Sequence, residues 1–229
     1  MVEMVDHGPD ALTYKGRMTR DRIITRAAEL ALVGGFSRLS IESIRKAALV
    51  SGSQMTHYFP CRDALIRAVI AHQTEVILQF HRQSALRGLE TFEDFDRWAE
   101  LTLRFGRSRS RRGAVPHYGV LVCEIATDEQ ARRLLADGYR QWQAVLRDGL
   151  ERMVKRKYLV AETDTGQLAS VLIGSHQGAD ALTLALGRSW PVREALAFGL
   201  SYLHMFATDP TQRRSHLLAE YDPSARRRR

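Results

Sequence analysis

Cysteine is scarce in this 229-residue chain, with two residues, Cys61 and Cys123, far apart. That count excludes a disulfide framework and fits a reducing compartment. No apolar run approaches the ~18 residues of a spanning helix. The opening MVEMVDHGPD has neither a basic stretch nor an apolar one, so a secretory leader is not expected and a soluble, cytoplasmic protein is. Asn-Gly and Asp-Gly hairpin signals and strand-like alternation are nearly absent, which argues against a β-fold. There is no Gly-rich phosphate loop, no His-Glu metal motif and no nucleophile elbow, so the common signatures of nucleotide, zinc and serine chemistry are missing. No internal repeat and no Pro- or Gly-rich linker divides the chain.

What remains is a 45% apolar chain with helical periodicity and a formal charge of +8. The charge is uneven. Between Tyr14 and Arg62 stand nine basic residues and three acids. Two other basic islands lie at Arg104–Arg112 and Arg226–Arg229. A basic segment that also folds is the footprint of a nucleic-acid-binding surface, whereas a basic tail is a solvated end.

The pattern predicts helices in series. A first runs from a Thr19 cap to Val33, with Ile23, Ala27, Leu30 and Ala31 on one face, and ends at Gly34-Gly35. Ser40 caps a second, carrying Ile41, Ile44 and Ala48, with Leu39 and Ile44 as a hydrophobic staple. VSGSQMTHYFPCRD opens a third. Ser51 and Gln54 are spaced as a capping box, Val50 and Met55 as a staple, and Pro60 ends the helix. Its apolar members turn inward, leaving Gly52, Ser53, Thr56 and His57 outward. A fourth helix runs from about Arg62 to Arg82. Further helices are expected at 92–107, 118–126, 128–157, 165–187 and 192–207, with an Arg-rich loop at 106–116.

Two short helices, a tight turn and a second helix with a polar outer face form a helix-turn-helix, which fits one helix into the major groove. Here the sequence resembles the TetR family of bacterial transcriptional regulators. The resemblance is carried by Ile23, Ala27-Ala28, Gly35-Phe36, Ser40-Ile41, Ile44, Ala47-Ala48, Val50-Ser51, Tyr58-Phe59-Pro60, Arg62-Asp63 and Leu65. It implies an all-α protein. An N-terminal three-helix DNA-binding domain (19–66, helix-turn-helix about 40–59) joins through a continuous helix to a helical ligand-binding and dimerisation domain (67–208). A flexible basic arm (1–18) precedes it and a basic tail (209–229) follows. The implied function is a ligand-responsive repressor that binds a palindromic operator as a homodimer. It needs no catalytic residue, metal or cofactor beyond a small-molecule effector. A helical enzyme or carrier with a basic surface, and a non-specific architectural DNA binder, are the alternatives.

Two positions depart from the family pattern: Leu49 stands where a turn glycine is usual, and Thr56 where a phosphate-contacting Tyr is usual. Ser53, Thr56 and His57 are the candidate base or phosphate contacts. Thr56 has a phosphate bond or a thymine methyl open to it, and Gln54 either the cap or adenine. Gly52 offers a backbone N–H, Ser51 belongs to the same turn, Tyr58 has a hydroxyl for phosphate or a place in the core, and Arg62 matches a family Lys. Lys15, Arg17, Arg45 and Lys46 add positioning charge. Cys61 beside Arg62 has a reactive-thiolate reading and a plainer one as a small residue before a helix.

In the second domain, Trp98, Phe105, His117, Tyr118, Trp142 and Gln177 fall on elements that line the family's ligand cavity; each is also an ordinary core residue. By the same resemblance Gly174, Ser175, Gly178, Ala179, Ala181, Leu196, Leu200 and Leu203 form the dimer interface. His176 and Asp180 lie four apart, which admits a metal, but no third ligand is evident and a hydrogen-bonded pair is the expectation.

Overall fold

The computed structural model describes residues 12–34, 40–86, 88–110, 125 and 127–212. Among them are eight α-helices: α1 Tyr14–Gly34, α2 Ile41–Ala48, α3 Gly52–Tyr58, α4 Arg62–Arg82, α5 Phe92–Ser110, α6 Glu129–Lys155, α7 Thr165–Leu186 and α8 Trp190–His204. Helix α5 reaches Ser110, so the Arg-rich loop expected at 106–116 is helical over its first five residues, the arginine-rich run continuing the backbone hydrogen bonds of α5. The expected arm up to residue 11, the rest of that loop, residues 118–124 and 126 of the helix expected at 118–126 and the tail beyond residue 212 lie outside the described residues, as do Gly35, Phe36, Leu39, His117, Tyr118 and Cys123.

Helix α1 starts five residues before the expected Thr19 cap. Thr19 is buried inside it, and its hydroxyl donates to the Lys15 carbonyl at 3.0 Å. A mid-helix Thr can satisfy its hydroxyl on the preceding turn, so it need not mark a start. Lys15 and Arg17 are therefore helical residues and not part of an arm. Ile23, Ala27 and Ala31 form the buried stripe of α1 and meet Ile44 and Ala48 of α2, Met55 of α3 and Leu65, Val69 and Ile70 of α4 in one core. Each large aliphatic buried there contributes about 1.5–3 kcal/mol.

Helix α4 runs unbroken from that core into the second domain, where it packs along α6; α6 packs on α7, and α7 on α8. The α4–α5 connection is held on α6 by close approach. A Cβ built on Gly149 would stand 2.6 Å from the Leu89 carbonyl oxygen, so only glycine fits. Glu90 beside it pairs with Arg152 and Arg156 at 3.2 and 2.8 Å. The helix expected at 192–207 ends earlier, at His204. The following residues pair instead with the segment after α6: Val160 N–H donates to Phe206 O and Thr208 N–H to Tyr158 O, both at 2.9 Å. No helix among the described residues is long and apolar enough to cross a membrane.

Candidate nucleic-acid interface

The turn between α2 and α3 is built by backbone hydrogen bonds. Leu49 takes the left-handed conformation (φ 54°, ψ 51°) that the missing glycine would have supplied. Its N–H donates to Lys46 O and that of Val50 to Arg45 O, both at 3.2 Å, which is a Schellman closure of α2. Arg22 of α1 donates from Nε to Ala48 O at 2.9 Å, satisfying another carbonyl at that end. Val50 is buried beside Met55, while Leu49 is 85% exposed. The side chain that carries the strained φ thus buries almost nothing.

The capping box of α3 is present. Ser51 Oγ accepts from Gln54 N–H at 3.1 Å, and Gln54 Oε1 accepts from Ser51 N–H at 2.9 Å. Gln54 reaches back to the cap, which resolves its two readings in favour of structure. Ser53 shares a hydrogen bond with the Ser51 hydroxyl at 2.9 Å. Thr56 Oγ1 donates to the Gly52 carbonyl at 3.1 Å. Ser53, Thr56 and His57 are all exposed, at i, i+3 and i+4, and so share one outer face. Gly52 is exposed with open space around it and lacks a left-handed φ, so neither packing nor φ within the subunit demands glycine there.

The cations divide. Arg45 is held by Glu42 at 2.6 Å and also reaches Val50 O at 3.4 Å, so it braces the turn. That guanidinium, by hydrogen bond and charge, holds the Glu42 carboxyl down to about 2. Lys46 lies 3.5 Å from the same carboxylate. Arg17 donates to Leu12 O at 2.7 Å. Lys15, Lys46 and Arg62 remain exposed. A Cβ on Gly16 would meet the Tyr58 hydroxyl at 3.5 Å, so the start of α1, with Lys15 and Arg17, abuts the end of α3. Tyr58 is half-buried there, its hydroxyl against α1. Phe59 is core, with the Arg20 guanidinium 5.4 Å from its ring centre. Cys61 is an exposed free thiol preceding α4. Arg20 and Arg22 were not singled out from sequence, because nothing in a charge run distinguishes a bracing arginine from a solvated one.

A polar cleft of about 410 Å³ lies between the first turns of α4 and the start of α6, lined by Arg62, Asp63, Arg67, Thr127, Asp128 and Gln130 among others. Arg67 spans it to Asp128 at 3.2 Å. The other oxygen of Asp128 caps α6, accepting from Ala131 N–H at 2.9 Å. One carboxylate therefore starts α6 and holds α4.

The described residues of the set expected in a ligand cavity make the following contacts. Trp98 and Trp142 are buried, and both indole N–H groups donate to Nε2 of His81, at 3.1 and 3.2 Å. His81 Nδ1 meets the Ile77 carbonyl at 2.8 Å, so the proton sits on Nδ1 and the ring is neutral. Burial pushes its pKa down to about 4. These two tryptophans are a buried core knot. The sequence offered only one signal for His81, its place at i+8 from Gln73 and i+4 from Ile77 on the buried stripe of α4. Phe105 packs on Phe80, ring centres 4.6 Å apart. Gln177 accepts from Tyr139 at 3.4 Å and donates to Asp180 at 3.3 Å. His176 Nε2 and Asp180 Oδ2 stand 3.7 Å apart on the same buried face of α7. Burial, then the Asp180 charge, pushes the Tyr139 hydroxyl up to about 12.

Leu196, Leu200 and Leu203 are 0–1% exposed, turned into the subunit's own core, and present nothing to a second copy; that expectation is corrected. The physical reason is α7. Gly199 lets α8 approach it so closely that a Cβ would stand 3.0 Å from Leu172, drawing the leucine stripe inward. Gly174 and Gly178 face open space, and the large apolar side chains exposed there are Leu182 and Leu186 of α7, Trp190 and Phe198 of α8, and Met205 just past α8.

This arrangement, a three-helix helix-turn-helix continued by α4 into a helical second domain, recurs in solved structures. The regulatory protein TetR from Rhodobacter sphaeroides superposes with a TM-score of 0.70 at 20% identity, over 80% of this chain and 97% of that one. The chain has the fold of the TetR family. A TetR transcriptional regulator from Chloroflexus aurantiacus gives 0.69 at 22% identity, over 85% and 98%. By sequence, the HTH-type transcriptional regulator UidR of Escherichia coli K12 is 31% identical over 74 residues, 32% of this chain and 38% of its own length. The matched part of this chain thus spans little more than a third of that regulator. No family model matches the chain.

Proposed function

We propose that this protein is a DNA-binding transcriptional regulator that sets α3 in the major groove and acts as a ligand-responsive repressor. One observation carries the reading. Ser53, Thr56 and His57 stand on one exposed face of a short helix. That helix is held at its start by the capping box and the Leu49 turn, so backbone geometry and not side-chain chance sets the outward face. A dimer is favoured by the exposed apolar side chains on α7 and α8, since a soluble chain covers such a face with a symmetric copy. Two copies related by a two-fold would read half-sites ~34 Å apart, hence a near-palindrome. A small-molecule effector bound in the second domain would act through α4, whose hold on α6 includes the Arg67–Asp128 pair.

The test is selection of duplexes from a random library, followed by affinity measurements across a salt series. A regulator enriches a near-palindrome and binds it 10³-fold or more above random DNA. An architectural binder shows steep salt dependence with no enrichment, and an enzyme or carrier shows neither.

A further inference from the structure

On the outer face of α3 several polar groups are already engaged within the helix, although the face reads as freely polar in sequence. Gln54 is tied into the capping box, the Ser51 and Ser53 hydroxyls pair with each other, and the Thr56 hydroxyl is turned back onto the Gly52 carbonyl. A threonine whose donor is satisfied on the preceding turn keeps its Cγ2 methyl as its uncommitted end. Thr56 is exposed, so this methyl is presented to whatever meets the helix. In the major groove one base carries an apolar mark, the C5 methyl of thymine, and threonine methyls are among the groups that pack on it.

We propose that Thr56 is a specificity residue of this regulator, reading a thymine through methyl–methyl contact and not through its hydroxyl. The inference rests on the DNA-binding reading above. His57 beside it keeps hydrogen-bonding capacity, so the helix pairs one apolar reader with one polar reader. Ser53 adds a hydroxyl shared with the cap.

The experiment uses the full chain and the duplex selected from a random library. Each thymine of one half-site is replaced in turn by uracil, which removes only the C5 methyl. The proteins are wild type, Thr56→Ser, which keeps the hydroxyl and loses the methyl, and Thr56→Val, which keeps a methyl and loses the hydroxyl. The expected result is one thymine whose replacement weakens wild-type binding about fourfold, the effect of one buried methyl-sized group. Thr56→Ser should bind the thymine duplex more weakly, about fourfold for each half-site, and be indifferent to uracil at that position. Thr56→Val should stay within about twofold of wild type. The proposal is overturned if no uracil replacement matters, or if Thr56→Val loses as much affinity as Thr56→Ser loses or more. It is also overturned if the two losses add independently, because contacting groups do not. A selection that enriches no sequence overturns the DNA-reading function together with this inference, and is distinguished from the other failures by occurring before any variant is made.

Discussion

Leu49 offers a direct test of how the helix-turn-helix is held. Its φ of 54° costs an L-residue with a Cβ roughly 1–2 kcal/mol relative to right-handed backbone. The side chain is 85% exposed, so burial returns only a few tenths of a kcal/mol. Leu49→Gly removes the strain but adds roughly 0.5–1 kcal/mol of unfolded-chain entropy. The expected balance is a gain of about 0.5 kcal/mol, or ~1–2 °C in melting temperature for a chain of this size. Leu49→Asn should do at least as well, because asparagine tolerates the left-handed region without glycine's entropy. Leu49→Ala, which keeps the Cβ, should lie at or slightly below wild type. The assay is thermal unfolding followed by circular dichroism at one fixed protein concentration, since association shifts apparent stability. If glycine and asparagine both lower the melting temperature, the strain argument is wrong and Leu49 contributes through contacts that its exposure does not reveal.

Other expectations follow from the same geometry. His81 is neutral in the fold, with a pKa lowered to about 4 from 6.5, so the unfolded chain binds the proton first and stability falls as pH drops from 6.5 toward 4, by about 3 kcal/mol in all. His81→Gln should flatten that slope in urea titrations between pH 6.5 and 5, and an unchanged slope would assign it to other groups. Gly149→Ala should lower the melting temperature by roughly 3–9 °C, since its Cβ meets the Leu89 backbone; a neutral result would mean that the turn yields freely. Phe198→Glu should convert a dimer to a monomer in sedimentation, weakening association about a thousandfold with helicity intact, and a persisting dimer would move the interface elsewhere. Asp128→Asn and Arg67→Ala should each lose about 0.5–1 kcal/mol, while Asp128→Ala should lose roughly 1 kcal/mol more because the α6 cap goes with the ion pair. Equal losses for all three would show that the cap contributes nothing.

Local signals made the helix-turn-helix half legible. Ser40 and Ser51 are caps whose partners lie three residues on, Pro60 stops α3, and the staple and capping box agree on one boundary; these are contacts between near neighbours, and spacing states them. The start of α1 was misread for the converse reason. Thr19 has the chemistry of a cap, and only the preceding turn shows that its hydroxyl is already satisfied. The second domain was legible as helices but not as faces. Leu196, Leu200 and Leu203 and the exposed Phe198 are all apolar residues of α8, and the approach of Gly199 to Leu172 determines which of them turn inward.

The sequence by itself determined an all-helical chain with a basic helix-turn-helix at its start, because caps, turns and helical period are short-range and the charge is a matter of count. Only the tertiary structure joined Trp98 and Trp142 through His81, made Asp128 serve two helices at once, and turned one stripe of α8 outward. Each of these depends on residues brought together from distant parts of the chain, and no spacing rule carries that choice.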